Sequence, residues 1–306
     1  MIGKGPVFRP RIGTHHPQRK SADVVGVFIA TPDTNNKLFR MTLEWGYSQN
    51  NGPDSWGKCY PDACGKNQSP VDIEPVKVKV VNSHKRLTWR YIAENTESIT
   101  NPGYCWKVHV NGKGSELTGG PLEGHYVLEQ FHCHWGDSDD RGSEHTINGQ
   151  QYAGELHLVH WNSTKYHSFE EAAKHPDGLC VLGVFLKPGH KNHELDKIVA
   201  QLSHIEYKDE AARILVPLDP GHFLPEDSGY YTYQGSLTTP PCSECVIWII
   251  FKEPLEVSHD QLAAFRNLKS YCKEQQCPCD DFKGFVKNNF RPTFPLGQRE
   301  IKECRQ

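Results

Sequence analysis

What most limits the fold is how short the apolar stretches are. VVGVFIA (24–30) and CVIWIIF (245–251) are seven residues each, and GLCVLGVFL (178–186) is nine. None approaches the ~18 residues of a membrane-spanning helix. The 26 glycines and 21 prolines are scattered along the chain rather than gathered in one block. Turn residues spread this way cut a chain into many short elements, which is how a sheet protein reads. Strand-like segments rich in Val, Ile and aromatics follow at 104–110, 126–135, 154–161, 179–187, 213–218 and 245–252. Helices are few. Ser168 with Glu171 and Ser258 with Gln261 fit a capping box, and HELDKIVAQL (193–202) sets Leu195, Ile198, Val199 and Leu202 at helical spacing. No strand–helix alternation or Gly-rich phosphate loop points to a nucleotide-binding sheet. The expected class is mainly β with short surface helices.

Charge narrows the partners. A formal net charge of −3 gives no global basic field to attract nucleic acid or an anionic membrane. Only residues 1–43 read differently. Before Asp23 they hold no acid but contain Lys4, Arg9, Arg11, Arg19 and Lys20, with Pro6, Pro10 and Pro17. The expectation is a disordered basic arm, probed against the alternative of a mitochondrial transit peptide, followed by one domain over 44–306. Eleven cysteines cannot all pair within one chain, and residues 1–22 lack the apolar centre of a secretory signal. Reduced thiols in a cytoplasmic protein are therefore expected. CPC (277–279) has too little cysteine company for a structural zinc clip.

The chemistry concentrates in QFHCHWG (130–136). If 126–135 is a strand, Gln130, His132 and His134 share one face, and Phe131, Cys133 and Trp135 share the other. In GELHLVHW (154–161), Glu155, His157 and Val159 share a face opposite Leu156, Leu158 and His160. An antiparallel neighbour would bring a third imidazole beside the pair. Three neutral imidazoles make a zinc site with one open position, the pattern of a catalytic rather than structural metal. Spacing alone leaves the third ligand open between His157 and His160. Gln130 and Glu155 each lie two residues before a candidate ligand, where they can accept its outer ring N–H.

These segments, with QSPVDI (68–73), GSEHTINGQQYAGELHLVHWN (142–162) and GSLTTPP (235–241), resemble the α-class carbonic anhydrases from residue 45 to residue 300. NPGYCW, FHCHWG and TTPPCSE are most similar to intracellular members from arthropods and other invertebrates. The resemblance implies a single domain around a large twisted, mostly antiparallel sheet with zinc at the bottom of a conical cleft. It implies reversible hydration of carbon dioxide to bicarbonate and a proton by zinc-bound hydroxide, weak side esterase activity, sulfonamide-type inhibition, a monomer and a part in pH homeostasis. The ligands it implies are His132, His134 and His157, with Gln130 and Glu155 behind them. Thr238 would orient the nucleophile and Glu144 would orient Thr238. Val159, Val181, Leu237 and Trp248 would form the carbon dioxide wall, with Thr239 on the substrate side. Tyr47 and Asn101 would join Gln130 in ordering the cleft.

The sequence departs from the pattern at the proton-shuttle position, where fast members carry histidine and this chain carries Tyr104. A phenol titrates near ~10 and transfers protons poorly near neutrality. His109 is a nearby ionisable residue. Cys64 and Cys242 fall near a disulfide position of extracellular members, but Cys64 stands one residue too close to QSP, and free thiols are expected. Two competing functions remain: a zinc-free, catalytically silent binding protein, against which all three ligand positions speak, and a hydrolase acting mainly on esters.

Overall fold

The computed structural model describes residues 44–82, 85–225 and 229–305. The basic arm over 1–43 lies outside the described residues. Along the main path ten strands pair in the spatial order Ala211–Arg213, Thr96–Thr100, Lys107–Val110, Tyr126–Trp135, Gly154–Asn162, Leu179–Pro188, Val246–Phe251, Tyr230–Gly235, Lys302–Arg305, Lys79–Asn82. Three short strands off this path bring the sheet to 13. Most neighbours are antiparallel. Leu179–Pro188 runs parallel to Val246–Phe251, and Lys302–Arg305 to Lys79–Asn82.

The sheet is buried on both sides of its centre, because each central strand is apolar on one face and mixed on the other. On the back face Leu128, Phe131, Cys133, Trp135, Leu156 and Leu158 join one large core. On the other, Val159, Val181, Tyr233, Trp248 and Ile250 form a second core beside the cleft. A bulge between Leu128 and Gln130 sets the histidine strand's phase. Tyr126 and Leu128 face the same core as Phe131 and Cys133, although strict alternation would put them on opposite sides.

The long central strands fall where composition puts them, and the margins do not. The segment expected over 104–110 pairs only from Lys107. The strand expected over 213–218 is corrected: pairing stops at Arg213, and Leu215 and Val216 are 82% and 55% exposed. Apolar composition there suggested a strand, but Pro217 has no N–H to donate to a ladder. Thr96–Thr100 was not expected, since TESIT contains one aliphatic residue, Ile99, which is fully buried. Ser258 makes the full capping box with Gln261. At Ser168 only half of it forms: the hydroxyl accepts from Glu171 N, while the Glu171 carboxylate accepts from His167 N. The third helix covers His193–Val199, capped by Asn192, and Leu202 starts a separate 3₁₀ turn.

Candidate metal centre and cleft

Register decides which imidazoles meet. His132 and His157 are direct partners across the antiparallel Tyr126–Trp135 and Gly154–Asn162 pair, and His134 lies opposite Glu155. Ring centroids are 5.1 Å apart for His132–His134, 5.3 Å for His132–His157 and 4.7 Å for His134–His157. One nitrogen from each lies within 4.8 Å of the others.

The remaining nitrogens are spoken for. His132 Nδ1 donates to Gln130 Oε1 at 2.8 Å. His134 Nδ1 donates to the Asn289 carbonyl at 2.6 Å, and His157 Nε2 to Glu155 Oε1 at 2.8 Å. These acceptors select tautomers that leave His132 Nε2, His134 Nε2 and His157 Nδ1 as bare lone pairs. Burial holds all three rings neutral; the neighbouring imidazoles add to the effect for His132 and for His134, and His134 is lowered to about 3. His134 Nε2 is buried with no hydrogen-bond partner, as is Glu144 Oε2, 3.4 Å away. Orphaned buried polar atoms are costly unless something binds them. Three neutral nitrogen donors with fixed tautomers fit a zinc ion.

The carboxylates differ. Glu155 is fully buried and saturated. Oε1 receives His157 Nε2 and His145 Nδ1 (2.7 Å), and Oε2 receives the backbone N–H groups of Glu144 and His145. Burial alone would raise its pKa, but His145 and His157 outweigh that and hold it well below the usual carboxylate range. Glu144 is pushed the other way, by burial first and then by Glu155, against the Thr238 side chain and the Arg291 backbone N–H that favour its charge. Arg291 N donates to Glu144 Oε1 at 2.8 Å. Thr238 is close enough to influence Glu144, but Oε2 makes no bond of ordinary length. The turn carrying Thr238 is stapled by Leu237 N to Ser243 O (3.0 Å) and Trp248 Nε1 to Ser236 O (3.1 Å).

A cavity of about 60 Å³ opens onto the imidazoles, lined also by Tyr104, Cys105, Lys107, Gln130, Val159, Phe169, Val181, Leu237, Thr238, Thr239 and Trp248. Val159, Val181 and Trp248 stand in line across three strands. Tyr104 packs on Trp45 at 4.3 Å, and burial raises its phenol further above the ordinary value. A larger cavity of about 610 Å³ lies alongside, sharing Tyr104 and holding none of the three imidazoles. Tyr47 lines that larger cavity, and its hydroxyl has no hydrogen-bond partner.

Asn101 is elsewhere. Its Nδ2 donates to the carbonyls of Ile205, Glu206 and Lys269, and its Oδ1 accepts from Gly103 N. It is fully buried and pins loops rather than lining the cleft. His160, the rival third ligand, faces the back, bonded to Tyr91 Oη (2.8 Å) and Leu158 O (3.0 Å). His109 is an exposed strand residue bonded to Thr100 Oγ1 at 3.1 Å and outside the cavity lining. Cys64 and Cys242 are free thiols, the first exposed and the second buried.

Reading the sequence missed four contributors. His145 joins Glu155 to the Tyr233 hydroxyl (2.6 Å), and its place inside SEHT next to Glu144 was the available signal. Lys107 directly opposes His132 on the neighbouring strand, and a strand position two residues before His109 was its only mark. The Asn289 carbonyl and the Arg291 N–H are backbone groups, which no residue identity announces.

The sequence also has known relatives. The family model described as "Eukaryotic-type carbonic anhydrase" matches residues 51–305. The chain is similar to carbonic anhydrase 3 of Homo sapiens, 43% identical over 264 residues covering 86% of this chain and 98% of that protein. It is similarly close to carbonic anhydrase 1 of Monodelphis domestica, at 43% over 262 residues covering 85% and 97%. Carbonic anhydrase 3 of Sus scrofa is 44% identical over 264 residues, 86% and 98% of the two chains.

Proposed function

We propose, from the premise that the chain belongs to the eukaryotic-type carbonic anhydrase family, that its three bare imidazole nitrogens hold the zinc of a carbon dioxide hydratase. The chain is an enzyme that interconverts carbon dioxide and water with bicarbonate and a proton. The observation carrying the site assignment is the split of each imidazole into one committed nitrogen and one free nitrogen, with the free ones converging.

When bound, zinc supplies a Lewis acid that makes hydroxide available near pH ~7, carbonic anhydrase being the reference case for that effect. The protein supplies the rest. Gln130, the Asn289 carbonyl and Glu155 fix the ring orientations. Val159, Val181, Leu237 and Trp248 present an apolar wall to a linear apolar substrate, with Thr239 at the substrate side. Thr238, by donating its hydroxyl proton to Glu144 in the loaded site, would turn its lone pair toward the attacking oxygen and aim it. A cation at the imidazoles favours the ionised Glu144 that this arrangement needs. A cavity of about 60 Å³ suits a small gas better than a bulky ester, so ester hydrolysis is a side activity. Sulfonamides, as anionic nitrogen ligands, are expected inhibitors.

We assign residues 44–306 as the catalytic domain and place the protein in the cytoplasm as a monomer, with 1–43 as an arm and a part in pH homeostasis. The NPGYCW, FHCHWG and TTPPCSE segments support an invertebrate-type enzyme. Among the described residues no helix is long and apolar enough to cross a membrane. The mature N-terminus of protein isolated from cells tests the localisation: removal of the arm would favour mitochondrial import. Zinc content after gel filtration, together with stopped-flow hydration rates, tests the centre. About one zinc per chain with hydration activity is expected, and an active protein without zinc would overturn the assignment.

A further inference from the structure

Lys107 lines the small cavity with His132, His134 and His157, and its Cα lies directly opposite that of His132. Its side chain is half-buried. The ammonium makes one long hydrogen bond, to Tyr104 Oη at 3.4 Å, and lies 5.6 Å from that ring's centroid. No carboxylate comes within 4.0 Å of it among the described residues, unlike Lys165, Lys187, Lys197 and Lys252, each of which has an acidic partner. An ammonium carries three donors. Here a phenol engages one, and no carboxylate neutralises the charge, in a cleft partly shielded from solvent, where a charge acts more strongly than in bulk water. The rest of the cavity wall is imidazole, aliphatic, aromatic, thiol, hydroxyl and amide, with no anion.

We infer that Lys107 is an anion-holding residue of the cleft, which retains small planar oxyanions of the product type, bicarbonate above all, beside the three imidazoles. This rests on the zinc-centre reading given above. Neutral carbon dioxide gains nothing from the charge, whereas bicarbonate gains a charge-assisted hydrogen bond. Lys107 therefore sets the balance between substrate and product affinity rather than taking part in bond making.

The test is a titration of the cobalt-substituted protein, whose visible spectrum responds to anions at the metal, with nitrate and with bicarbonate at pH 8.5. Lys107→Met keeps the length of the stem and removes the charge. It should weaken both anions by about tenfold, the scale of one hydrogen bond to a charged group. Lys107→Arg should stay within about threefold of the wild type, and Tyr104→Phe likewise, because the ammonium and not the phenol holds the anion. In turnover, Lys107→Met should raise KM for bicarbonate in dehydration by a similar factor, with KM for carbon dioxide in hydration nearly unchanged. Equal anion affinities in wild type and Lys107→Met would overturn the inference, as would equal weakening of the two KM values. If Lys107→Met does not fold, Lys107→Gln against Lys107→Arg makes the same comparison. A wild-type protein that gives no cobalt spectrum would instead refute the zinc centre itself, and this inference with it.

Discussion

His157 and His160 stand three residues apart on one strand and are both buried. Both are kept from protonating by burial, His160 down to about 3. They differ in what their nitrogens have left to do. His160 has spent both, on the Tyr91 hydroxyl and the Leu158 carbonyl, and belongs to the back of the sheet. His157 has spent one on Glu155 and holds the other bare beside two more bare nitrogens. His145 repeats the first pattern, tied to Glu155 and Tyr233. Burial and a low pKa therefore do not mark a ligand. On the reading proposed here, an uncommitted nitrogen held by a committed partner does.

The most direct way to break this contrast is to remove each ring. His157→Ala leaves two protein donors, and zinc retention and hydration should both be lost, with activity down by several orders of magnitude. His160→Ala should keep about one zinc per chain and lose stability instead, by roughly 2–4 kcal/mol for a buried, doubly bonded side chain. Metal analysis after gel filtration and urea unfolding read the two outcomes. Full zinc occupancy in His157→Ala would refute the assignment.

A smaller effect separates metal holding from aiming. Thr238→Ala should lower kcat/KM by about 10²–10³-fold, the range for one oriented hydrogen-bonding group, with zinc retained. Zinc lost in proportion to activity would place Thr238 among the groups that hold the metal.

Acid should sharpen the contrast further. His160 has a folded pKa below its unfolded value of ~6.5, so the unfolded chain takes up the proton first. The stability it contributes is complete above pH ~6.5 and is lost as pH falls from there toward about 3. Between pH 6.5 and 5 one such group accounts for at most ~2 kcal/mol, at ~1.4 kcal/mol per pH unit. Urea midpoints of His160→Gln should fall less steeply over that window than those of the wild type. Parallel slopes would mean that His160 takes up its proton in the folded protein too.

The mildest change is at Tyr104. Tyr104→His should raise kcat severalfold at low buffer, and wild-type kcat should climb with added imidazole-type buffer, since a group of pKa near ~6.5 relays protons that a buried phenol does not. Attack on carbon dioxide does not use Tyr104, so kcat/KM should stay within about threefold. Stopped-flow rates across buffer concentration check both. A wild-type kcat indifferent to buffer would make another group the relay.

The two faces were also unequally readable. On the histidine strands, side chains repeat every second residue, so Gln130, His132, His134, Glu155 and His157 could be grouped from sequence. Choosing between His157 and His160 required register, which residue spacing does not encode and which the family resemblance supplied. The bulge before Gln130 was invisible, because one unpaired residue changes phase without changing composition. What Asn101 bonds to was also hidden: its amide reaches three carbonyls and holds Gly103 N beside Tyr104, partners that no residue spacing announces. Lys107 was passed over because a strand lysine ordinarily points to water, and only pairing with the histidine strand turns it inward.

The Asn289 carbonyl that steadies His134 lies 155 residues beyond it in the chain, and the Arg291 N–H does the same for Glu144 across 147 residues. A ribosome adding ~5–20 residues per second delivers this segment on the order of ten seconds after the three imidazoles. Until then the rings exist without their full orientation, and a nascent chain offers a looser, less selective metal trap. If the imidazoles hold zinc as proposed, its tight capture should come late in synthesis, and in a pulse of translation the gain of metal would time the docking of residues 289–291.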